Sequence, residues 1–149
     1  MKEVASNAVK QLGEVDILIN NAGVVQGKLF HEMDEELARK TMVVNAESHF
    51  WTTKEFISSM MKRNKGHIVS IASISGLAGT AAKVDYCASK FAAVGFMDAL
   101  RVEMKHLGYS GIVCTTVCPS YINTGMFEGV KCSLLFPILD QKAVAKRIV

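Results

Sequence analysis

Three short apolar segments, separated by helical stretches, constrain the fold of this chain most strongly. They are residues 15–20 (VDILIN), 67–72 (HIVSIA) and 112–118 (IVCTTVC), and each is rich in β-branched residues. Nearly continuous apolarity over this length is typical of strands buried on both faces, and such strands usually belong to a parallel sheet covered by helices. The segments therefore predict three strands of an α/β protein.

Helical patterns fill the intervals between the predicted strands. The stretch from Asp34 to Arg63 has acidic residues in its first turn and basic residues in its last, as the helix dipole favours. Further helices are predicted over residues 1–13, 86–107 and 141–149, with a long loop from 119 to 137. This alternation predicts one domain over residues 1–149, built on a right-handed, doubly wound parallel sheet.

The helix predicted over residues 86–107 carries two apolar stripes. One has the spacing expected of a face packed on the sheet, and it consists of Ala93, Met97, Leu100, Met104 and Leu107. The other is rich in small residues, and it consists of Ala88, Phe91, Ala92, Gly95, Phe96 and Ala99. Two explanations remain open for the second stripe: contact with a partner subunit, which predicts a homodimer, or burial under the chain's own loops.

Charge and cysteine spacing exclude several classes of function. The 149 residues include 17 basic and 14 acidic side chains mixed along the chain, without a basic face or a binding motif, so we do not expect nucleic-acid binding. The four cysteines, Cys87, Cys114, Cys118 and Cys132, lack metal-ligand spacing, which predicts reduced thiols and no metal site. No uninterrupted apolar stretch is long enough to span a bilayer, so the chain as given is expected to be soluble and cytoplasmic.

Polar or glycine-containing motifs follow each predicted strand. The first strand runs into NNAG (20–23), the second into SISG (73–76) and the third into PSYINTGM (119–126). Because ligands of open α/β sheets bind at the carboxyl ends of the strands, these motifs are expected to meet at one edge. Tyr86 and Lys90, one helical turn apart after the second strand, are expected to face that edge too. This coincidence favours a reaction centre over a chance pair on a helix.

This combination of motifs resembles the short-chain dehydrogenase/reductase family. The resemblance is carried by NNAG after a strand, a serine thirteen residues before the tyrosine, YCASK (86–90) and the asparagine of VVNAESHFW (43–51). It is greatest to the lipid-metabolising branch that holds retinol and hydroxysteroid dehydrogenases, on the segments NNAGVV, HFWTTKEF, GHIVSIAS, DYCASKFAAVGF and NTGMFEG. The resemblance covers nearly the whole chain and implies a Rossmann-like fold, of which these residues supply strands four to six and their helices.

The resemblance implies a role for each matching residue. Tyr86 would be the general acid/base, Ser73 would hold the substrate oxygen, and Asn45 would belong to a proton relay. Lys90 would bind the nicotinamide ribose and lower the pKa of Tyr86. The implied cofactor is NAD or NADP, and the residues implied to bind it are Asn20, Ala22, Gly23, Tyr86, Lys90, Pro119 and Thr124.

Each of these residues also has a structural interpretation. The asparagines of NNAG could form a turn after a strand, Ser73 could be a loop hydroxyl, and Asn45 could be a buried amide bonded to backbone. Tyr86 and Lys90 could be a structural pair. The chemical roles are physically reasonable, because an ammonium about 4 Å from a phenol could lower its pKa from about 10 by roughly three units.

The function implied by the resemblance is an NAD(P)-dependent oxidoreductase that interconverts a lipophilic alcohol, retinol-like or a hydroxysteroid, and its aldehyde or ketone. The Gly-rich loop that binds the pyrophosphate in such folds is absent from these residues, and so is the family's final strand. We therefore expect a fragment that binds dinucleotide poorly and is inactive alone, with residues 17–19 on an open sheet edge. The alternative is a non-catalytic short isoform that pairs with a full-length enzyme.

The loop after the third predicted strand bears on the substrate. Its apolar residues suit a lipophilic substrate or merely cover the core, and they are Met126, Phe127, Leu134, Leu135 and Phe136. The lipid-metabolising branch also implies a cytosol-facing location at the endoplasmic reticulum membrane or lipid droplets. Membrane contact would then be made only through regions that these residues do not include.

Overall fold

The structure, a computed structural model, describes residues 2–126 and 137–148. Helices and strands alternate along the chain as α1 (Lys2–Leu12), β1 (Ile17–Asn20), α2 (Glu35–Met42), α3 (Ser48–Arg63), β2 (Gly66–Ile71), α4 (Val84–His106), β3 (Ile112–Val117) and α5 (Gln141–Ile148). All three predicted strands are confirmed, with ends shifted by one or two residues. The helix predicted over residues 86–107 begins two residues earlier, so Tyr86 lies in its first turn.

The strands form one parallel sheet in the order β1-β2-β3. In the centre of the sheet, Ile68 of β2 is paired with Leu18 on one side and with Cys114 on the other. Parallel neighbours need crossover connections, which α2 with α3 and then α4 provide. This arrangement agrees with the predicted Rossmann-like α/β fold in truncated form.

The core lies between the sheet and helices α3 and α4. Its buried side chains are Met60, Ile68, Met97, Met104 and Ile112. Met97 and Met104 belong to the stripe of α4 that was predicted to face the sheet. Leu107, the last member of that stripe, is instead exposed because it lies beyond the final residue of the helix.

The helical stretch predicted from Asp34 to Arg63 consists of two α-helices joined by a π-helical turn. The Asp34 carboxylate caps α2 by accepting a hydrogen bond of 2.8 Å from the backbone N–H of Leu37. A π-helical turn, Val43–Glu47, then separates α2 from α3. Such a turn inserts an extra residue into the helical ladder, often at a functional site, and it leaves no mark in local helix propensity. The predicted helical stretch is therefore confirmed, with a π-helical turn at the segment that contains Asn45.

Two apolar surfaces are partly exposed among the described residues. At the β1 edge of the sheet, Ile17 and Ile19 are 60% and 42% exposed, which confirms the predicted open edge. On the second stripe of α4, Phe91 is 47% exposed. One of the two explanations for this stripe required burial under a loop of the chain. No loop among residues 2–126 and 137–148 buries Phe91.

The cysteines and the helices also bear on the sequence-based predictions. Cys87, Cys114 and Cys118 are free thiols in the structure, and Cys132 lies outside the described residues. Within the described ranges, no helix combines the length and apolarity needed to cross a membrane.

The long loop predicted after β3 is described only as far as Met126. Within it, Ile122 forms a parallel bridge with Leu139, which ties the loop to the segment before α5. The other apolar residues predicted to lie near a substrate, Phe127, Leu134, Leu135 and Phe136, fall outside the described residues.

Candidate active site

The carboxyl ends of the three strands open into one cavity of about 530 Å³. It is lined by Asn21, Ala22, Gly23, Val24, Val44, Ile71, Ala72, Ser73, Tyr86, Lys90, Pro119, Ser120, Ile122, Thr124 and Met126. The convergence that the three strand-end motifs predicted is therefore present. A volume of this size is ordinary for a small-molecule site.

A second cavity of about 550 Å³ lies between the β2–β3 part of the sheet and α5. Its lining is mainly apolar, and its His67 side chain is already hydrogen-bonded to Thr115 at 2.8 Å. It contains none of the residues predicted to be catalytic. The reactive groups are therefore concentrated in the first cavity, where a hydroxyl, a phenol and an amine converge.

Ser73 and Tyr86 form the reactive side of the cavity. The backbone N–H of Ser75 donates a hydrogen bond of 3.1 Å to the Ser73 hydroxyl oxygen, so the Ser73 proton can be donated elsewhere. Burial raises the pKa of Tyr86 above its ordinary value of 10, and a hydrogen bond with Ser73 offsets part of this rise. In the chain by itself, the pKa of Tyr86 is therefore raised, whereas the resemblance implied that it is lowered.

Lys90 lies beside the Tyr86 ring, but its amine is hydrogen-bonded to the strand end. Its side chain is buried, and Nζ donates a hydrogen bond of 2.8 Å to the carbonyl oxygen of Ile71. Nζ lies 5.7 Å from the centre of the Tyr86 ring, so the amine is fixed beside the phenol and bonded to the strand end. Burial lowers the pKa of Lys90 to about 8.

Two glycines allow backbone to approach Lys90 closely. A Cβ built on Gly23 would lie 3.6 Å from both the Lys90 Nζ and the Asn45 Oδ1. A Cβ built on Gly76 would lie 2.6 Å from the Lys90 carbonyl oxygen, which no real side chain tolerates without a shift. Gly76 thus lets the turn after Ser73 pack against α4. Gly76 lies within the SISG motif, but the sequence alone did not predict its close contact with α4.

Asn45 is fully buried in the π-helical turn, and its side chain makes structural bonds. Its Oδ1 accepts from the backbone N–H of Val24 at 2.8 Å, and its Nδ2 donates to the carbonyl of Val24 at 2.9 Å and to Ser89 Oγ at 3.0 Å. Ser89, also fully buried, donates to the carbonyl of Tyr86 at 2.7 Å. The side chain therefore matches the structural interpretation of a buried amide bonded to backbone, and a relay role stays a prediction. Only the fourth position of YCASK could have pointed to Ser89.

Asn20 is buried, and its side chain is engaged outside the cavity. Its Oδ1 accepts a hydrogen bond of 2.6 Å from the Thr52 hydroxyl, and its Nδ2 lies 3.4 Å from the Thr53 hydroxyl. These bonds join the end of β1 to α3. Residues 21–23 of the same motif line the cavity, whereas Asn20 does not.

Comparison with known proteins agrees with this geometry. Residues 1–133 match the family described as short chain dehydrogenase. Similar proteins include short-chain dehydrogenase/reductase family 16C member 6 of Bos taurus, 47% identical over 98% of this chain and 47% of its own length. Epidermal retinol dehydrogenase 2 of Homo sapiens is 47% identical over 98% of this chain and 48% of its own length. Retinol dehydrogenase 10-B of Danio rerio is 50% identical over 85% of this chain and 38% of its own length.

The chain spans about half the length of the curated relatives it matches. The matched portion nevertheless contains the whole group of Ser73, Tyr86 and Lys90, together with the three strand ends that position it.

Proposed function

The chain belongs to the short-chain dehydrogenase family, and we propose that it forms the catalytic part of an NAD(P)-dependent oxidoreductase acting on a lipophilic alcohol. The observation that carries this proposal is the convergence of Ser73, Tyr86 and Lys90 on one cavity at the carboxyl ends of parallel strands. A retinol-like alcohol or a hydroxysteroid is the proposed substrate, and the names of two similar retinol dehydrogenases support the first. We also propose a cytosol-facing location at the endoplasmic reticulum membrane or lipid droplets, where such substrates partition.

The residues of the cavity fit the nicotinamide end of a dinucleotide. Lys90 provides a buried amine that can donate hydrogen bonds to ribose hydroxyls, and residues 21–24 provide a wall of backbone groups. Pro119 and Thr124 line the same cavity. The missing side chain of Gly23 leaves the space beside the Lys90 amine open. When bound, NAD or NADP supplies the hydride chemistry that none of these side chains can perform.

Tyr86 is the proposed acid and base of the reaction. Its raised pKa keeps the phenol protonated at neutral pH, which suits donation of a proton to a carbonyl oxygen during reduction. Oxidation of an alcohol needs the phenolate instead, and the Ser73 hydrogen bond favours that form. The Ser73 hydroxyl, oriented by the Ser75 N–H, donates to the oxygen on which charge develops.

Asn45 is proposed to support Tyr86 and Lys90 from the buried side of the cavity. Its side chain is engaged with Val24 and Ser89, so a contribution to a proton relay would come from its backbone. Its amide holds the loop after β1 at a fixed distance from α4, and this sets the width of the cavity between Gly23 and Lys90.

The test uses a chimera in which residues 1–149 replace the matching segment of human epidermal retinol dehydrogenase 2, because the chain spans about half of that protein. The purified chimera is assayed with NAD and NADP against retinol, a hydroxysteroid and ethanol. We expect kcat/KM for the long alcohols to exceed that for ethanol at least about tenfold, since each buried methylene contributes about 0.8 kcal/mol. The proposal fails if the chimera folds and oxidises none of them while the unaltered relative is active.

A second candidate function is non-catalytic pairing with another copy or with a full-length enzyme. It is favoured by an exposed aromatic surface on α3 and α4, where Phe50, Trp51 and Phe91 are 49%, 53% and 47% exposed. Phe50 packs on Phe96 of α4 with ring centres 4.5 Å apart, so both helices contribute to one surface.

Light scattering of the chain tests the pairing. We expect a dimer at micromolar concentration and a monomer for Phe91→Glu, because a buried unpaired carboxylate is costly. Val4→Glu, on the exposed face of α1, is the matched control and is expected to leave the dimer intact. A monomeric parent chain would exclude the homodimer.

A further inference from the structure

Lys83, the residue directly before α4, is a buried lysine that the proposed chemistry does not use. Its side chain donates a hydrogen bond of 2.6 Å to the Tyr121 hydroxyl, and its Nζ lies 4.3 Å from the centre of the Tyr121 ring. A charged donor makes a stronger hydrogen bond than a neutral one, and an ammonium near an aromatic ring adds cation–π attraction. This contact links the loop after β3 to the start of the helix that carries Tyr86.

Tyr121 lies within the segment that forms one wall of the cavity. Its neighbours Ser120 and Ile122 both line the cavity. The backbone of this segment is held from the other side by Leu139, whose N–H donates to the Tyr121 carbonyl at 2.8 Å and whose carbonyl accepts from the N–H of Asn123 at 3.1 Å. The wall is thus fixed to the segment before α5 by backbone and to α4 by the Tyr121 side chain.

Lys83 lies three residues before Tyr86 and forms the N-cap of α4. Ala82, just before it, has φ of 58°, a left-handed conformation that is uncommon for a residue with a side chain. The buried carboxylate of Asp85 accepts a hydrogen bond of 2.9 Å from Gln26, which ties the loop after β1 to the same end of α4. Loops on both sides of the cavity are therefore anchored at the start of the tyrosine-bearing helix.

We propose that Lys83 and Tyr121 form a specificity-determining pair that holds residues 119–126 at a fixed distance from Tyr86 and so selects the shape of the alcohol. This inference rests on the proposed function. Lys83 acts through Tyr121 and is a positioning residue, not a participant in proton transfer. Loss of the pair loosens the wall that contacts the substrate. Lys83→Met removes the contact and keeps the Tyr121 hydroxyl, which also contributes to the raised pKa of Tyr86.

Kinetics of variants in the chimera test this pair. We expect Lys83→Met and Tyr121→Phe each to raise KM for the long alcohol roughly tenfold, because the charge-assisted hydrogen bond that holds the wall is lost. For Lys83→Met, which keeps the Tyr121 hydroxyl, kcat is expected to change less than about twofold. The double variant is expected to be no worse than either single variant, since both remove the same contact. Lys83→Arg keeps the cationic donor and is expected to restore most of the affinity.

The matched controls are Lys54→Met, at an exposed lysine of α3, and Tyr109→Phe, at a tyrosine packed against the core. Both are expected to keep the parent KM. Additive effects of the two single changes would show that Lys83 and Tyr121 act separately, and an unchanged KM in both would overturn the specificity role.

Hydrogen exchange of the same variants tests the pair independently of activity. We expect faster exchange of backbone amides in residues 119–126 in Lys83→Met and Tyr121→Phe, with β2 unchanged. Exchange at the parent rate in both variants overturns the inference, whatever the activity. If the parent chimera oxidises no alcohol, the proposed function fails, and faster exchange in this segment still supports the link between the wall and α4.

Discussion

At the scale of single residues, the reactive groups are held in place by buried neighbours that take no part in proton transfer. The carbonyl of Ile71 fixes the Lys90 amine at the strand end. Ser89 connects the side chain of Asn45 to the carbonyl of Tyr86, all within the buried interior. The proposed catalytic site therefore depends on hydrogen bonds from residues that contact its reactive groups without reacting themselves.

Removal of the Ser89 hydroxyl tests this dependence. Ser89→Ala leaves the Asn45 Nδ2 and the Tyr86 carbonyl without their bonds to Ser89, and we expect it to lower the free energy of unfolding by about 1–3 kcal/mol. Urea unfolding of the chain measures the change. Ser58→Ala, at an exposed position of α3, is the control and is expected to stay within about 0.5 kcal/mol of the parent. Equal stability of the two variants would contradict the proposed dependence.

His49 gives the chain a predictable response to acid. It is 1% exposed, its Nδ1 lies 3.2 Å from the Ser70 hydroxyl, and its Nε2 has no hydrogen-bond partner among the described residues. Burial lowers the pKa of His49 to about 4, and the charge of Lys90 contributes to the same shift. The unfolded chain therefore takes up a proton near pH 6.5, whereas the folded chain resists protonation until about pH 4.

Stability is consequently expected to fall as the pH drops from 6.5 towards 4, with His49 contributing up to about 1.4 kcal/mol per pH unit. Denaturant unfolding of the parent and of His49→Gln across this range isolates the contribution. The glutamine variant is expected to lose it, and His106→Gln, at an exposed histidine of α4, is expected to retain it. The same slope in the parent and His49→Gln would show that another group is responsible.

At the scale of elements, α4 is placed by a close backbone approach as much as by its apolar stripe. The turn Ile74–Gly76 packs against the helix at Lys90, where only glycine leaves room. Gly76→Ala places a methyl group against the Lys90 carbonyl, and we expect a loss of stability of about 1–3 kcal/mol from overpacking.

Thermal unfolding distinguishes this effect from a general response to alanine. Gly95→Ala lies on the same helix with nothing within 4 Å of the added Cβ, and it is expected to raise stability by up to about 1 kcal/mol through helix propensity. A Gly76→Ala variant as stable as Gly95→Ala would mean that the turn does not press on α4.

The elements were predictable where their signal is local. Continuous apolar runs identified the three strands, and the motifs after them identified the cavity, because strand ends of a parallel sheet share one edge. The π-helical turn at Asn45 was not predictable, since helical propensity is similar on both sides of it. Contacts such as Asn45 with the backbone of Val24, or Lys83 with Tyr121, join distant segments and depend on packing that no local pattern encodes. The bond between Asn20 and Thr52 belongs to the same class, because Thr52 lies on a helix rather than in the motif.

At the scale of the whole molecule, a short part of the family's domain holds the proposed reactive centre. The chain spans about half the length of its relatives, yet three strands and the helices between them suffice to bring Ser73, Tyr86 and Lys90 to one cavity. Its exposed apolar surfaces, at the edge of β1 and on α3 and α4, are the places where further protein surface can be accommodated.

The central claim is that the Tyr86 hydroxyl exchanges a proton with the oxygen of an alcohol or carbonyl substrate. The most direct measurement is the single-turnover rate of alcohol oxidation, followed by nicotinamide absorbance, in the chimera and its Tyr86→Phe variant. The claim predicts a fall of about a hundredfold or more, as is usual for removal of a general acid or base, with dinucleotide affinity and unfolding unchanged. A Tyr86→Phe variant that oxidises the alcohol at the parent rate would contradict it.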